Sequence, residues 1–227
     1  LVIHDGTPRA WRAGATYVGI ALLAESVLLV GLVMLSVEMP GPGLAIEDAV
    51  ATLAASPDRD TILALLIAGF GVKAGLVPLH VWMPLAHSAA PVPASSVLSG
   101  AVVKAGIIGL IRFLPSGEAL PATGQLLAWA GFVTAFYGVL VGLTQRHPKA
   151  VLAYSSVSQM GVVVAALGLG FAAGDGSARI AAAFYAAHHV LVKGALFLAV
   201  GVAAAGTQGR RGWVLAPALL LCLGLGG

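Results

Sequence analysis

The feature that most constrains this chain is a succession of long apolar runs that leave few places for charged side chains. A helix that crosses a membrane needs about 20 mostly apolar residues to span the hydrocarbon core. Six runs of that length follow one another between short polar or Pro/Gly-rich breaks, and a seventh starts near Trp213 but is too short to cross comfortably. The six runs lie at about 15–38, 61–79, 94–114, 124–144, 149–171 and 179–204.

Composition points to the same fold class. Of 227 residues, 59% are apolar and 9% are charged, whereas soluble globular proteins carry about 25% charged residues. This balance excludes a soluble domain and a disordered chain. Cys222 is the single cysteine, so the sequence contains neither a disulfide framework nor a thiolate metal cluster. The 12 basic residues are dispersed and form no nucleic-acid-binding patch, despite the net charge of +3. We therefore predict an all-α polytopic membrane protein.

The two ends of the chain indicate its domain organisation. Residues 1–14 form a polar N-terminal segment with neither an initiator Met nor a cleavage-site pattern, so we do not interpret it as a signal peptide. Residues 15–227 form a partial transmembrane domain. We interpret the chain as an internal piece of a larger membrane subunit, and an unusual complete protein is the alternative.

Basic residues outside the membrane predict the orientation. If every run crosses, six of them lie on the side of the N-terminus and three on the opposite side. Because cytoplasmic loops carry the excess of Lys and Arg, this distribution favours a cytoplasmic N-terminus. The six are Arg9, Arg12, Arg146, Lys149, Arg210 and Arg211, and the three are Arg59, Arg112 and Arg179.

Several ionisable side chains lie inside the apolar runs. They are Glu25, Lys73, Lys104, His188, His189 and Lys193. A charged group costs about 2.5–3.5 kcal/mol at a helix centre on insertion scales, so such residues face protein or water and often serve ion movement. The structural alternative is that a Lys near a helix end extends to the headgroups and a buried His bonds a carbonyl. So many sites in about six helices favour the functional explanation.

Three polar residues share one helical face. Tyr185, His189 and Lys193 are each four residues apart, which aligns them along one helix. A row of groups that exchange protons is typical of a proton relay. His188 adjoins this row, and Glu25 is a candidate modulator because a nearby carboxylate favours the charged form of Lys or His.

The run at 61–79 contains a second signal. Gly71 and Gly75 flank Lys73, and Pro78 follows. Glycines loosen a helix and proline removes a backbone donor, so we predict a broken helix at Lys73. Ion transporters place charges at such breaks, and a simple proline kink is the alternative.

The segment 78–93 follows the break and contains four prolines. It therefore predicts an irregular turn at the membrane interface instead of a helix. Its two histidines, His80 and His87, are seven residues apart and have no accompanying Cys or carboxylate, which argues against a metal site.

Four ordered blocks resemble a known family. They are similar to the antiporter-like proton-translocating subunits of respiratory complex I, membrane-bound hydrogenases and multisubunit sodium/proton antiporters. The blocks are Gly71–Pro84 with Ala86-His87 and Ala90-Pro91, then Ser99–Gly106, Lys149–Gly161 and His189–Leu198. The resemblance covers about residues 15–210 and is specific for the superfamily more than for any member.

The resemblance implies roles for the buried residues. Family members have about fourteen spans with two inverted five-helix repeats, each with one broken helix, and this chain resembles the sixth span to the start of the twelfth. Lys73 matches the lysine of the first broken helix, and Lys104 that of the next helix. Lys193 with His189 matches the central relay of the second half.

The chain also departs from the family pattern. The family's glutamate partner for the first lysine should precede Leu1, so Glu25 is not that residue by order, and the second broken helix would lie at or beyond Gly227. Leu85 stands where many members carry Asp, and Ala150 where they carry Arg. Leu85 favours hydrogenase-type or stand-alone antiporter-like members.

The function that the resemblance implies is that of a non-redox, proton-pumping subunit of a redox-driven complex, of the NADH:quinone oxidoreductase or membrane-bound hydrogenase type. It would be a multi-pass protein of the inner or plasma membrane, in contact with lipid and other membrane subunits, without a bound cofactor, metal or nucleic acid. The alternatives are a sodium/proton antiporter subunit that carries Na⁺ and a structural scaffold without transport. We expect Lys73 and Lys104 to exchange a proton through a bridging water, with neither paired to an acid of this chain.

Overall fold

The computed structural model describes residues 2–39, 45–115 and 119–206, and the regular structure in these ranges is helical. In chain order the helices are α1 (Pro8–Glu38), α2 (Ile46–Ala55), α3 (Arg59–Ala74), α4 (Trp82–Ala89), α5 (Val92–Val97), α6 (Val103–Phe113), α7 (Pro121–Leu143), α8 (Pro148–Ala173) and α9 (Ser177–Gly206). A 3-10 turn over Leu79–Val81 precedes α4, and a π-helical turn over Leu98–Val102 joins α5 to α6.

Six spans among the described residues are long and apolar enough to cross a membrane. They confirm the six predicted runs, and two of them combine shorter helices. Their bounds are Pro8–Glu38, Arg59–Ala89, Val92–Phe113, Pro121–Leu143, Pro148–Ala173 and Ser177–Ala204. The predicted seventh run from Trp213 lies outside the described residues, as do Arg210, Arg211 and Cys222.

Helix α1 starts earlier than the hydropathy pattern indicated. Thr7 Oγ1 accepts a hydrogen bond from the Ala10 N–H at 3.1 Å, and Pro8 is the first helical residue. Both residue types suit a helix N-terminus, since Thr pairs a free backbone donor and Pro needs none. Residues 8–14 of the predicted polar segment are therefore helical, and Arg9 and Arg12 lie in the first turns of α1.

Two polar contacts show which helix ends lie together. Lys149 Nζ, at the start of α8, donates to the Ala90 carbonyl just past α4 at 2.7 Å. Arg179, at the start of α9, donates to the carbonyls of Ile111 and Leu114 at the end of α6. Both contacts agree with the alternating direction of spans that the orientation argument assumed. The side that carries Arg9, Arg12, Arg146 and Lys149 is called the basic end below.

Helices α7 and α8 are in backbone contact because glycines line both of them. A methyl group added to Gly131 would lie 2.3 Å from the Ala165 nitrogen, and one added to Gly161 would lie 2.4 Å from the Ala135 nitrogen. Small residues allow such close packing of membrane helices, where van der Waals contact replaces the hydrophobic driving force. The contact holds α8 in position for its polar residues to face α9.

Glycines also determine how α1 and α6 cross α3. A methyl group on Gly69 of α3 would lie 3.1 Å from the Ala24 carbonyl of α1. One on Gly106 of α6 would lie 2.5 Å from both the Phe70 carbonyl and the Ala74 nitrogen of α3. Both neighbours of α3 therefore approach it beside the break.

Candidate functional site

The second span is broken at Lys73, as predicted. Helix α3 ends at Ala74, and Gly75 adopts a φ of 79°, a left-handed conformation that glycine takes without strain. The chain resumes in the 3-10 turn and α4. Lys73 lies in the last turn of α3, directly before the break.

Side chains from other elements pair the backbone groups that the break exposes. Trp82 Nε1–H donates to the Val72 carbonyl at 3.0 Å, and the Val77 N–H donates to Thr134 Oγ1 of α7 at 3.1 Å. Non-helical backbone at membrane depth is tolerated only when protein or water satisfies it. These two hydrogen bonds meet that requirement next to Lys73.

The expectation that segment 78–93 forms an irregular interfacial turn is wrong. Residues 82–89 form α4, which continues the span that α3 begins, and the chain turns at Ala90 and Pro91 instead. The prolines fit because they lie in first turns, where backbone N–H groups have no intrahelical acceptor. Pro84 is the third residue of α4, and Pro93 is the second of α5.

Lys73 has a carboxylate partner. Its Nζ donates to Oε1 of Glu25 on α1, and the two side chains form a salt bridge. The expectation that neither lysine pairs with an acid of this chain is therefore wrong for Lys73. The cause is the crossing at Gly69, which lies one helical turn before Lys73 on the same face and brings Ala24, the neighbour of Glu25, against α3. The water bridge between Lys73 and Lys104 stays a prediction.

Lys104 is buried at 4% exposure and has different partners. Its Nζ donates to the Ser99 carbonyl at 2.7 Å and lies 2.5 Å from Nδ1 of His189 on α9. Ser99 belongs to the π-helical turn, a local widening that is frequent at functional sites. Nε2 of His189 is buried and has no hydrogen-bond partner among the described residues. His189 therefore joins α6 to α9 through Lys104.

Lys193 and Tyr185 both face α8. Lys193 is 1% exposed, and its Nζ donates to Ser155 Oγ at 2.7 Å and to the Leu152 carbonyl at 3.5 Å. The Tyr185 hydroxyl donates to Gln159 Oε1. Tyr185, His189 and Lys193 thus lie on one stripe that faces neighbouring helices, as their four-residue spacing predicts.

His188 does not join this stripe. Its side chain is exposed on α9, with its ring centroid 6.3 Å from that of Tyr185. A residue next to His189 in sequence points about 100° away around the helix, so it cannot share the face. The inclusion of His188 in a relay row is not supported by its position.

The serines of α8 are the residues that sequence reasoning missed. Ser155 contacts Lys193, and Ser156 Oγ lies 3.2 Å from Ser99 Oγ. The signal in the sequence was the spacing of Ser155 and Gln159, which are four residues apart and so form a polar stripe on α8. Antiparallel packing of α8 on α9 then aligns this stripe with Lys193 and Tyr185.

The arrangement is a cluster of mostly buried donors and acceptors between α6, α8 and α9. Lysine, imidazole and hydroxyl groups can each hold or pass a proton over hydrogen-bond distances. Among the described residues, no group of three or more His, Cys, Asp or Glu side chains is placed to hold a metal ion. The chemistry that these side chains support is proton transfer.

Comparisons with known proteins agree with this geometry. The model of the family "NADH:quinone oxidoreductase/Mrp antiporter, TM" matches residues 1–213. Hydrogenase-4 component B of Escherichia coli (strain K12) is 33% identical over 215 residues, which cover 88% of this chain and 31% of that protein. The chain spans about a third of the length of the curated relatives that it matches first.

Two solved structures are similar to this chain. The Mrp complex from Dietzia sp. superposes with a TM-score of 0.66 and 28% identity, covering 86% of this chain and 36% of that one. The membrane-bound sulfane sulfur reductase, an archaeal respiratory membrane complex, superposes with a TM-score of 0.71 and 28% identity, covering 83% of this chain and 32% of that one. Both are multisubunit membrane assemblies.

Proposed function

Because the chain belongs to the NADH:quinone oxidoreductase/Mrp antiporter transmembrane family, we propose that it is a proton-translocating membrane subunit of a redox-driven complex. The proton carriers are the buried side chains of Lys104, His189 and Lys193, here called the central row, together with Lys73 at the broken helix. The subunit lies in the inner or plasma membrane, binds no redox cofactor itself and works with other membrane subunits.

The observation that carries this proposal is the contact between Lys104 Nζ and His189 Nδ1 at 2.5 Å. Both side chains are buried, and they come from different helices, α6 and α9. An ammonium and an imidazolium at this distance would repel each other strongly in an apolar medium. The pair therefore holds one proton at most between its two nitrogens, which is the condition for passing that proton on.

The central row supports a stepwise transfer. A proton on Lys104 Nζ moves to His189 Nδ1 when one N–H bond breaks and the other forms along their hydrogen bond. Lys193 lies one turn further along α9, where Ser155 Oγ holds its amine. Because a charge on one member disfavours a charge on its neighbours, uptake at one end promotes release at the other.

Lys73 and Glu25 supply a coupling step at the broken helix. The carboxylate of Glu25 holds the ammonium of Lys73 at the break, so the position of the Lys73 side chain depends on this ion pair. Helix α3 and helix α6 cross beside Lys73, which links the break to the helix that carries Lys104. A partner subunit that moves Glu25 would thereby influence the central row.

The redox-driven assignment is supported by the similarity to hydrogenase-4 component B and to the archaeal respiratory complex. The similarity to the Mrp complex supports a sodium/proton antiporter subunit as the alternative. The central row consists of nitrogen bases, whereas hard cations such as Na⁺ prefer oxygen ligands. This difference favours H⁺ as the transported ion.

The test is ion transport by the whole complex in proteoliposomes, with internal pH recorded in Na⁺-containing and Na⁺-free buffer. We expect proton translocation without Na⁺ and its loss in Lys104→Met, while the driving reaction and assembly are measured separately. Transport that requires Na⁺ would identify the antiporter alternative. Unchanged proton translocation by Lys104→Met would indicate a scaffold role and overturn the proposal.

A further inference from the structure

His87 is a buried titratable residue outside the central row. Its side chain is 0% exposed, and it lies near the end of α4, three residues before Ala90, where the chain turns at the basic end. The ring stacks on Phe197 of α9, with centroids 4.8 Å apart and planes inclined by 20°. Phe197 is one helical turn beyond Lys193, so His87 lies close to the end of the central row.

Both ring nitrogens of His87 are buried without a hydrogen-bond partner among the described residues. A neutral imidazole has one donor and one acceptor, and leaving both unpaired costs free energy. Phenylalanine would make the same stack on Phe197 without that cost. A purely structural role therefore does not explain a histidine at this position.

Two lysines lie near His87 by way of its neighbours. Lys193 is one turn before Phe197, the residue on which the ring stacks. Lys149 is half-buried at the basic end, where its Nζ contacts the Ala90 carbonyl three residues after His87. His87 thus lies close both to the basic end and to the part of α9 that carries Lys193.

We propose that His87 is a proton-transfer residue that connects the basic end of the membrane to Lys193. One ring nitrogen takes up a proton from water near Lys149, and the other nitrogen releases its own proton towards Lys193. One N–H bond forms while one breaks, so the imidazole returns to a neutral state after each transfer. Since no protein group lies within hydrogen-bond distance of either nitrogen in the described region, bridging water completes each step. This inference rests on the proposed function and adds the step by which protons enter the central row from the basic end.

The experiment compares His87→Phe, His87→Gln and Lys104→Met in the reconstituted complex, with His4→Phe as a matched control at an exposed position. Phe keeps the stack on Phe197, and Gln keeps polar atoms but cannot exchange a proton. We expect both His87 variants to assemble and to lose proton translocation by about a hundredfold, the lower end of the range for a removed acid–base group. His4→Phe should translocate protons normally.

The outcomes separate this inference from the proposed function. Normal translocation by either His87 variant, with Lys104→Met inactive, overturns the role of His87 alone. Normal translocation by Lys104→Met overturns the proposed function itself. If neither His87 variant assembles, the proposal is tested instead by a density map of the wild-type complex at a resolution that shows water molecules. Water within hydrogen-bond distance of both ring nitrogens supports the proposal, and a dry ring overturns it.

Discussion

Lys73 and Lys104 are both lysines beside a helix irregularity, yet their partners differ in charge. Lys73 pairs with the carboxylate of Glu25, whereas Lys104 contacts a carbonyl and the imidazole of His189. A carboxylate stabilises a fixed ammonium, while an imidazole competes for the same proton. Lys73 is therefore suited to controlling transfer and Lys104 to carrying it.

Replacing Lys73 tests whether its proton is needed. We expect Lys73→Ala to abolish or severely reduce proton translocation while the complex still assembles. Lys73→Arg should also fail, because guanidinium keeps its charge and cannot release a proton. Proton translocation is measured against the rate of the driving reaction, and normal pumping by the Ala variant would contradict the assigned role.

The Glu25–Lys73 ion pair makes a separate prediction. Glu25→Gln should reduce proton translocation in the wild-type background and should add nothing to Lys73→Ala. The reason is that an effect transmitted through one contact disappears when either partner is already lost. A double-mutant cycle of translocation rates measures this coupling, and fully additive losses would show that Glu25 acts independently of Lys73.

For individual residues, the sequence was enough to identify the buried titratable side chains but not all of the residues that they contact. Lys104, His189 and Lys193 stand out because charge in an apolar run is costly and their spacing can be read directly. The Glu25 contact was missed because it depends on the crossing of α1 and α3 at Gly69, which composition and hydropathy do not report. The order of family motifs even argued against it.

Helices α7 and α8 pack so closely that their glycines leave little room for substitution. In Gly131→Leu the added Cβ alone would lie 2.3 Å from the Ala165 nitrogen, and the rest of the side chain would need still more space. We expect this variant to lower thermal stability sharply or to prevent assembly, because the helices must separate. Gly19→Leu is the matched control, since nothing lies within 4 Å of that position on α1. Thermal unfolding in detergent measures both, and equal stability would contradict the packing argument.

The broken helix makes a second prediction at this scale. Trp82→Phe keeps an aromatic ring but removes the hydrogen bond to the Val72 carbonyl. Leaving a buried carbonyl unpaired costs about 1–3 kcal/mol, so thermal stability should fall. Trp129→Phe serves as control because Trp129 is 68% exposed. The unfolding temperatures of the two variants are compared with that of the wild type. If Trp82→Phe lowers this temperature no more than Trp129→Phe does, the indole does not support the break.

The helices around the break show what sequence patterns can predict and what they cannot. Two glycines beside Lys73 predicted the break correctly, because backbone freedom at that point is a local property. The four prolines of segment 78–93 predicted a turn, yet residues 82–89 are helical. Proline forbids a helix interior but not a first turn, and the start of α4 depends on the tertiary contacts of the break.

The whole molecule places buried polar groups along a series that starts at the basic end and runs into the spans. Lys149 lies at the basic end, His87 and Lys193 follow, and His189 with Lys104 reaches the helix that crosses α3. Helix α8 supports this path through its contacts with α7, α9 and the end of α4. The six spans thus hold the proposed proton carriers at fixed spacing among apolar side chains.

Our central claim is that the buried row of lysine and histidine carries protons, and Lys193→Met tests it most directly. Methionine resembles lysine in length and suits an apolar environment. Its side chain should therefore fill the space that Lys193 occupies at 1% exposure, and the complex should assemble. The measurement is the number of protons translocated per turnover of the driving reaction in proteoliposomes, with Arg12→Met as an exposed control. We predict that Lys193→Met lowers this number while Arg12→Met does not. An assembled Lys193→Met complex that moves as many protons per turnover as the wild type would contradict the claim.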